Sequence, residues 1–298
     1  MAPRRAGGHC AVWGGEHSLA DERPGIEPEF FDVFHDLLRW GGCEVRRGYG
    51  GWVPEVYDLM EGDFEDDIPL VLELAEETGG PVLDLGCGTG RLTIPLLREG
   101  LEVFALDSDA RMLEILEQKT ASLPPGDRQR LTLLQQDMRD CRTPRPAALA
   151  VCSTNTFLYL GSLEDQREAL RSIYHCLMPG GVLWLDVFVP KPNPSADEPY
   201  LTSHLNPETG TLLLYGAQTR EDHFTERSLV NAFTMLLPRE GSPQVFLQSW
   251  TYAWLHPNEV RLLLEGSGFR LRTLLGDYDG GEADEASVQM IAIAERRS

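Results

Sequence analysis

The sequence predicts an α/β protein built on a doubly wound, mostly parallel sheet, with an antiparallel β insertion late in the chain. Three observations predict it. From Pro81 onward short apolar runs alternate with helical patterns, as expected of parallel strands joined by crossover helices. The first of those runs, Val82–Leu85, opens directly into Gly86-Cys-Gly-Thr-Gly90. Such a loop at the mouth of a strand turns tightly and presents backbone N–H groups to a ligand. The rhythm then breaks over 190–256, where β-rich runs follow one another without helices between them.

Residues 1–28 are rich in Gly, Pro, Arg and Glu and carry no periodicity, so they read as a loose, partly disordered extension. Apolar residues at 30, 31, 34, 37 and 38 mark a helix over 29–40. A glycine-broken segment follows at 41–51, then Val53–Met60, then an amphipathic helix over 66–77. The strands expected next are Val82–Leu85, Val103–Leu106, Leu131–Leu134, Ala148–Cys152 and Val182–Val187, with helices over 91–99, 109–119 and 164–177. Pro179-Gly180-Gly181 reads as the stop signal of the last helix. After the stiff Pro190-Lys-Pro-Asn-Pro194 connector come β runs at 211–220, 223–236 and 244–255. In the third run Phe246, Trp250, Tyr252 and Trp254 recur at the period of two that one strand face requires. A helix over 257–265, a strand over 269–275, the turn 276–281 and a strand over 288–294 complete the chain. This divides it into an extension, 1–45, and a main domain, 46–298, that includes the insertion 190–256.

Composition narrows the function. With 298 residues, 42% of them hydrophobic, the chain can bury a sizeable core. Against 26 Lys and Arg stand 47 Asp and Glu, a formal charge of −21. A polyanion is repelled by that average field, which argues against nucleic acid and anionic membrane as partners. The six cysteines show no C-x-x-C pair and favour reduced thiols in the cytoplasm over a disulfide frame or a metal site. No apolar run reaches the length of a membrane span, and no signal-peptide core is evident.

The glycine loop carries the chemistry. Its spacing is G-x-G-x-G, whereas the dinucleotide fingerprint places its third glycine one residue later, where Arg91 stands. That departure argues against a nicotinamide enzyme. Asp107 lies at the end of the second strand, about 20 residues past the first glycine, where a carboxylate can accept from both ribose hydroxyls. Gln136-Asp137-Met138-Arg139 follows the third strand, Ser153–Tyr159 follows the fourth, and Leu177-Met-Pro-Gly-Gly-Val182 leads into the fifth.

In this order the motifs resemble those of the class I S-adenosylmethionine-dependent methyltransferases. Tyr57-Asp58, Asp137-Met138-Arg139 and Gly276-Asp277-Tyr278 further resemble bacterial small-molecule methyltransferases with a β insertion after strand five, among them sugar amine N-methyltransferases. The resemblance spans about residue 53 to the C-terminus. It implies a Rossmann-like seven-stranded sheet whose last strand is antiparallel, S-adenosyl-L-methionine as cofactor, and an insertion that covers the substrate site. The cofactor set it implies is Asp84, Gly86, Cys87, Gly88, Gly90, Asp107, Ser108, Met112, Asp137, Met138 and Thr154. Asp137 would take the adenine amino group while Met138 covers the ring.

Several roles stay open at this level. Asp84 either orients the loop amides or meets the ligand. No residue is singled out as catalytic; Tyr57, Tyr159 and Asp186 are the candidates, with core packing or buried support as the alternative. Tyr159 stands where the sugar enzymes carry a histidine, which removes the obvious general base. Asn155, Tyr159, Trp250, Tyr252 and Trp254 are substrate-pocket candidates, the aromatic row being packing otherwise. The resulting expectation is methyl transfer to an N or O atom of a small-molecule acceptor, without metal, nucleic acid or membrane, and compatible with a homodimer. The alternatives are a non-catalytic S-adenosylmethionine-binding protein and a methyltransferase acting on a macromolecule.

Overall fold

The computed structural model describes residues 44–47, 54, 57–58, 64–191, 199–207 and 209–297. The expected extension 1–28, the helix over 29–40, most of Val53–Met60 and most of the proline connector lie outside these. The described chain divides into two units, one holding 44–47, 199–223 and 228–251, the other holding 54–191, 224–227 and 252–297.

The larger unit contains strand β2 (Val82–Leu85), β3 (Val103–Asp107), β4 (Leu131–Gln135), β5 (Ala147–Cys152), β6 (Leu177–Phe188), β11 (Phe269–Leu275) and β12 (Gln289–Arg296). They form one sheet in the order β11-β12-β6-β5-β2-β3-β4. β2 through β6 run parallel, and β12 is antiparallel to both β6 and β11. Helices α1 (Ile68–Thr78), α2 (Thr93–Arg98) and α3 (Ala110–Thr120) pack on one face, and α5 (Leu163–Cys176) and α6 (Pro257–Gly266) on the other. A short α4 (Pro125–Arg128) precedes β4.

Two covered faces explain the unbroken apolar runs of the central strands. On β6, Leu183, Leu185 and Val187 face α5 and α6, while Val182 and Trp184 face the α1–α3 layer. Phe104, Phe157 and Phe269 anchor the α5–α6 layer at 0% exposure. Each such side chain contributes about 1.5–3 kcal/mol on leaving water.

The Pro179-Gly180-Gly181 signal corrects the sequence reading. α5 already ends at Cys176, and β6 begins at Leu177 and runs through the prolyl-glycyl segment. Against β5, Ala147 pairs Leu177 but Leu149 pairs Val182, so the extra residues form an irregularity in the strand. Gly180, at φ 77°, supplies the left-handed backbone this needs.

The second unit is a five-stranded sheet ordered β1-β10-β9-β8-β7: β1 (Glu44–Arg47), β7 (Tyr200–Leu205), β8 (Leu212–Asp222), β9 (Arg227–Leu237) and β10 (Gln244–Ala253). The three expected runs are β8, β9 and β10. β7 pairs antiparallel with β8 as an exposed edge, whereas β1 pairs in parallel with β10, Glu44 opposite Gln244. The insertion therefore recruits a strand from near the N-terminus, inside the glycine-broken segment where none was expected.

Candidate functional site

Neighbouring strands β2 and β5 send their following helices to opposite faces of the sheet, and ligands of such folds bind at that divergence, beyond the carboxyl ends of the strands. The glycine loop leaves β2 here. Gly86 and Cys87 both donate their N–H to the Leu106 carbonyl, at 2.8 and 2.9 Å, and Gly90 N–H closes the turn on the Cys87 carbonyl at 3.0 Å.

The three glycines serve different ends. All have positive φ, 68°, 53° and 96°. A Cβ on Gly86 would lie 2.3 Å from Thr156 Cγ2, and one on Gly90 would lie 2.3 Å from Leu116 Cδ1. These two positions are empty because the protein itself needs the space. A Cβ on Gly88 would meet only Tyr57 Cε1, at 3.8 Å. Gly88 is thus the point where something outside the described chain has room to approach the backbone.

Asp107 sits beneath that point. Its Oδ2 accepts from Gly88 N–H and its Oδ1 from Asp109 N–H, both at 2.9 Å. Burial pushes its carboxyl above the usual range, against the pull of these backbone donors. Asp84 is 3% exposed and accepts from the Thr93 hydroxyl at 2.6 Å; burial pushes it up to about 6. It borders a cavity of about 20 Å³ that Tyr57, Cys87, Arg91, Ser153 and Thr154 also line. Asp84 therefore supports the loop from inside. Cys87 is buried, and burial pushes its thiol well up. Ser108 is exposed at the end of β3, and Met112 is buried in α3.

Asp137 caps a 3-10 turn over Met138–Asp140 through Arg139 N–H at 2.8 Å. The Arg139 guanidinium also grips both its oxygens and reaches Asp165 of α5 at 2.6 Å. These bonds hold the Asp137 carboxyl below its ordinary value. Half-exposed, it still turns acceptor oxygen outward, while Met138 packs on the α5–α6 layer.

After β5 the chain takes two consecutive left-handed residues, Thr154 (φ 49°) and Asn155 (φ 62°). Such conformations cost about 1–3 kcal/mol each unless the surroundings enforce them. Here β6 enforces them. Thr154 N–H donates to Asp186 Oδ2 at 3.1 Å, Asn155 N–H to the Asp186 carbonyl at 3.2 Å, and Phe188 N–H to Asn155 Oδ1 at 2.6 Å. The Asn155 side-chain oxygen thereby ties the turn to β6.

Asp186 is the anchor of this turn. It is 0% exposed, and besides Thr154 N–H it accepts from Tyr278 Oη at 2.9 Å, from Ser153 Oγ at 3.2 Å and from Gln289 Nε2. Closed off from solvent, this carboxylate is held by three donors and shares a fourth, the Ser153 hydroxyl, and so braces the loop end. Ser153 Oγ also lies 2.5 Å from Asp67 Oδ2, so its single proton serves one carboxylate at a time. Asp67, also 0% exposed, is held by both terminal nitrogens of Arg91, one of them at 2.8 Å. Arg91 stacks over the Phe64 ring at 5.0 Å, and Phe64 packs edge-on against Tyr278 at 5.5 Å. Asp67, Asp84 and Asp186 thus lie buried beneath the loop, with Arg91 the guanidinium among them in the described residues.

Sequence reasoning missed Asp67, Gln289 and the role of Arg91. Of these partners only Tyr278 carried a signal, through its Gly-Asp-aromatic turn. Among the candidates on the acceptor side, Tyr57 reaches the Gly88 face, while Tyr159 ends a 3-10 helix over Thr156–Tyr159 whose first residue touches Gly86. Tyr252 Oη donates to Tyr159 Oη at 3.0 Å, with ring centres 4.8 Å apart. Trp254 is buried, and its N–H bonds the Glu226 carbonyl at 2.7 Å. Trp250 belongs to the other unit. Among the described residues no helix is long and apolar enough to cross a membrane.

The chain is similar to known proteins over the glycine loop and the strands that follow it. Residues 82–181 match the family model of the methyltransferase domain. The chain is 28% identical over 248 residues to the cypemycin N-terminal methyltransferase of a Streptomyces species, covering 82% of this chain and 95% of that protein. It is 32% identical over 141 residues to a Bacillus subtilis protein carrying the name methyltransferase YqeM, a match that spans 47% of this chain and about half, 55%, of that relative. The sugar N-methyltransferase KedS8 from Streptoalloteichus shares the fold, with a TM-score of 0.65 at 18% identity over 98% of this chain and all of that one.

Proposed function

We propose that this class I S-adenosylmethionine-dependent methyltransferase transfers its methyl group to an amine nitrogen of a small-molecule acceptor. The observation that carries the reading is the Gly88 position, where among the described residues only Tyr57 would meet an added Cβ, with the Asp107 carboxylate bonded to the Gly88 N–H. When bound, S-adenosylmethionine supplies an electrophilic methyl on a sulfonium, a leaving group that needs no acid. Asp107 would hold the ribose hydroxyls, and Asp137 and Met138 the adenine edge and face. Among the described residues the buried Asp67, Asp84 and Asp186 beneath the loop outnumber the Arg91 guanidinium, which supports a cationic ligand above them.

For the chain, the work is alignment. Holding acceptor and methyl in line is worth roughly 7–11 kcal/mol. An amine protonated at neutral pH must also lose its proton before it attacks. The Tyr159–Tyr252 hydroxyl pair, one short helix from the Gly86 contact, is the proposed acceptor-side contact. The amine acceptor is supported by the names of the cypemycin and KedS8 relatives. The net charge of −21 supports a small-molecule acceptor over nucleic acid or an anionic membrane surface.

The test is calorimetric titration of S-adenosylhomocysteine, with NAD as the control, followed by a radiolabelled methyl assay on aminosugars, amino acids, short peptides and phenols. Binding of S-adenosylhomocysteine that Asp107→Ala abolishes, with label on an amine, is expected. Absence of binding overturns the cofactor site, and label on phenols alone moves the acceptor atom to oxygen.

A further inference from the structure

Two buried thiols lie outside everything assigned above. Cys141, directly after the 3-10 turn that starts at Asp137, is 5% exposed; Cys176, the last residue of α5, is 4% exposed. Their sulfurs are 3.3 Å apart. The site around them is built: Ser172 Oγ lies 3.2 Å from Cys141 Sγ and takes the Cys141 N–H at 2.7 Å, and Cys176 Sγ donates to the Cys141 carbonyl at 3.2 Å. The hydrogen bond shared between the two sulfurs pushes the Cys141 thiol up and holds the Cys176 thiol below its ordinary value, so Cys176 carries the larger thiolate share. The other described cysteines, Cys87 and Cys152, have thiols pushed up by burial. Closing the gap to a bonded pair needs a sulfur shift of roughly 1.3 Å, within the reach of side-chain rotation.

We propose that Cys141 and Cys176 are a reversible dithiol–disulfide pair that, when oxidised by a hydroperoxide, clamps the segment from Asp137 to Cys141 onto the end of α5. The Cys176 thiolate attacks one peroxide oxygen, forming S–O as O–O breaks; the departing oxygen takes the thiol proton and leaves as water, or as an alcohol from an organic peroxide. Cys141 then attacks the sulfenic sulfur, forming S–S as S–O breaks, and its proton leaves with the hydroxide as water. The two thiols lose two electrons and two protons in all, and an external dithiol reverses the step. Arg139 already ties the same segment to Asp165, so oxidation converts a hydrogen-bonded attachment into a covalent one. The pair stands whatever Asp137 binds.

The experiment uses the full chain with Cys10→Ser and Cys43→Ser, treated with hydrogen peroxide and read by intact mass, peptide mapping and amide hydrogen exchange. The expected result is loss of two hydrogens, a single linked peptide pair containing Cys141 and Cys176, reversal by dithiothreitol, and at least tenfold slower exchange over 137–142. Cys176→Ala should abolish the mass change. Oxygen addition in place of hydrogen loss, equal oxidation of Cys87 or Cys152, or unchanged exchange in the linked protein would each overturn the proposal.

Discussion

Replacing Asp84 by Asn removes one buried charge while keeping an acceptor for the Thr93 hydroxyl. Burial raises the Asp84 carboxyl from 3.8 to about 6 in the folded chain. Between those values the folded protein binds more protons than the unfolded one, so the Asp84 contribution makes wild-type stability fall as pH rises through the window. At about 1.4 kcal/mol per pKa unit, the full ionisation cost is about 3 kcal/mol above the window and nothing below it. The Asn variant lacks that dependence. Its amide N–H group adjoins the cavity of about 20 Å³, which is large enough for one water, so any cost of the substitution is the same at every pH. Urea unfolding of both proteins at about pH 4 and about pH 8 should therefore show the variant gaining roughly 3 kcal/mol on the wild type between the two conditions. A stability difference that stays constant, or that shifts toward the wild type at high pH, would refute burial as the dominant influence on this carboxylate. The same variant should bind S-adenosylmethionine more weakly at neutral pH, because a negative charge beneath the loop is lost.

Arg91→Met leaves Asp67 buried without its counter-charge and should cost about 3–5 kcal/mol in urea unfolding, most of it recovered by adding Asp67→Asn. Gly90→Ala, strained at its φ and crowded against Leu116, should lose about 1–3 kcal/mol of stability. Gly88→Ala should lose about 1–2 kcal/mol yet weaken S-adenosylhomocysteine binding at least tenfold by calorimetry, since the added methyl fills the face that the described residues leave open. Asn155→Gly keeps the left-handed backbone and loses only the acceptor of Phe188 N–H, whereas Asn155→Ala loses both. Thermal unfolding should rank wild type above the Gly variant and the Gly variant above Ala, with about 1 kcal/mol between successive proteins.

What the sequence makes legible follows from how local each signal is. β2 falls on Val82–Leu85 as expected, because an apolar run bounded by proline and glycine defines both of its ends. Asp107 is equally legible, since its distance from Gly86 reflects one strand–helix–strand unit. Pro179-Gly180-Gly181 misleads because the same residues that stop a helix also build a strand irregularity, and only the register against β5 distinguishes them. β1 is short, carries two arginines and pairs with residues about 200 positions away, so nothing near it announces a strand. The buried carboxylates are hidden for the same reason. Asp186 stands out as a polar residue in an apolar strand, but its donors at 278 and 289 lie 92 and 103 residues further on. Tyr159 and Tyr252, 93 residues apart, meet only once the fold is complete.

The Asp186 cluster also orders assembly in time. Asp67, Arg91, Ser153 and Asp186 leave the ribosome well before Tyr278 and Gln289, and β12 enters the sheet between β6 and β11 only when almost the whole chain is available. Until then Asp186 lacks two of its donors, and the Thr154–Asn155 turn lacks a fixed anchor. Nascent chains arrested before residue 278 should thus have a wet, loosely shaped loop end. Competence to bind a ligand would arrive late and in one step, with the tyrosine as the closing bolt.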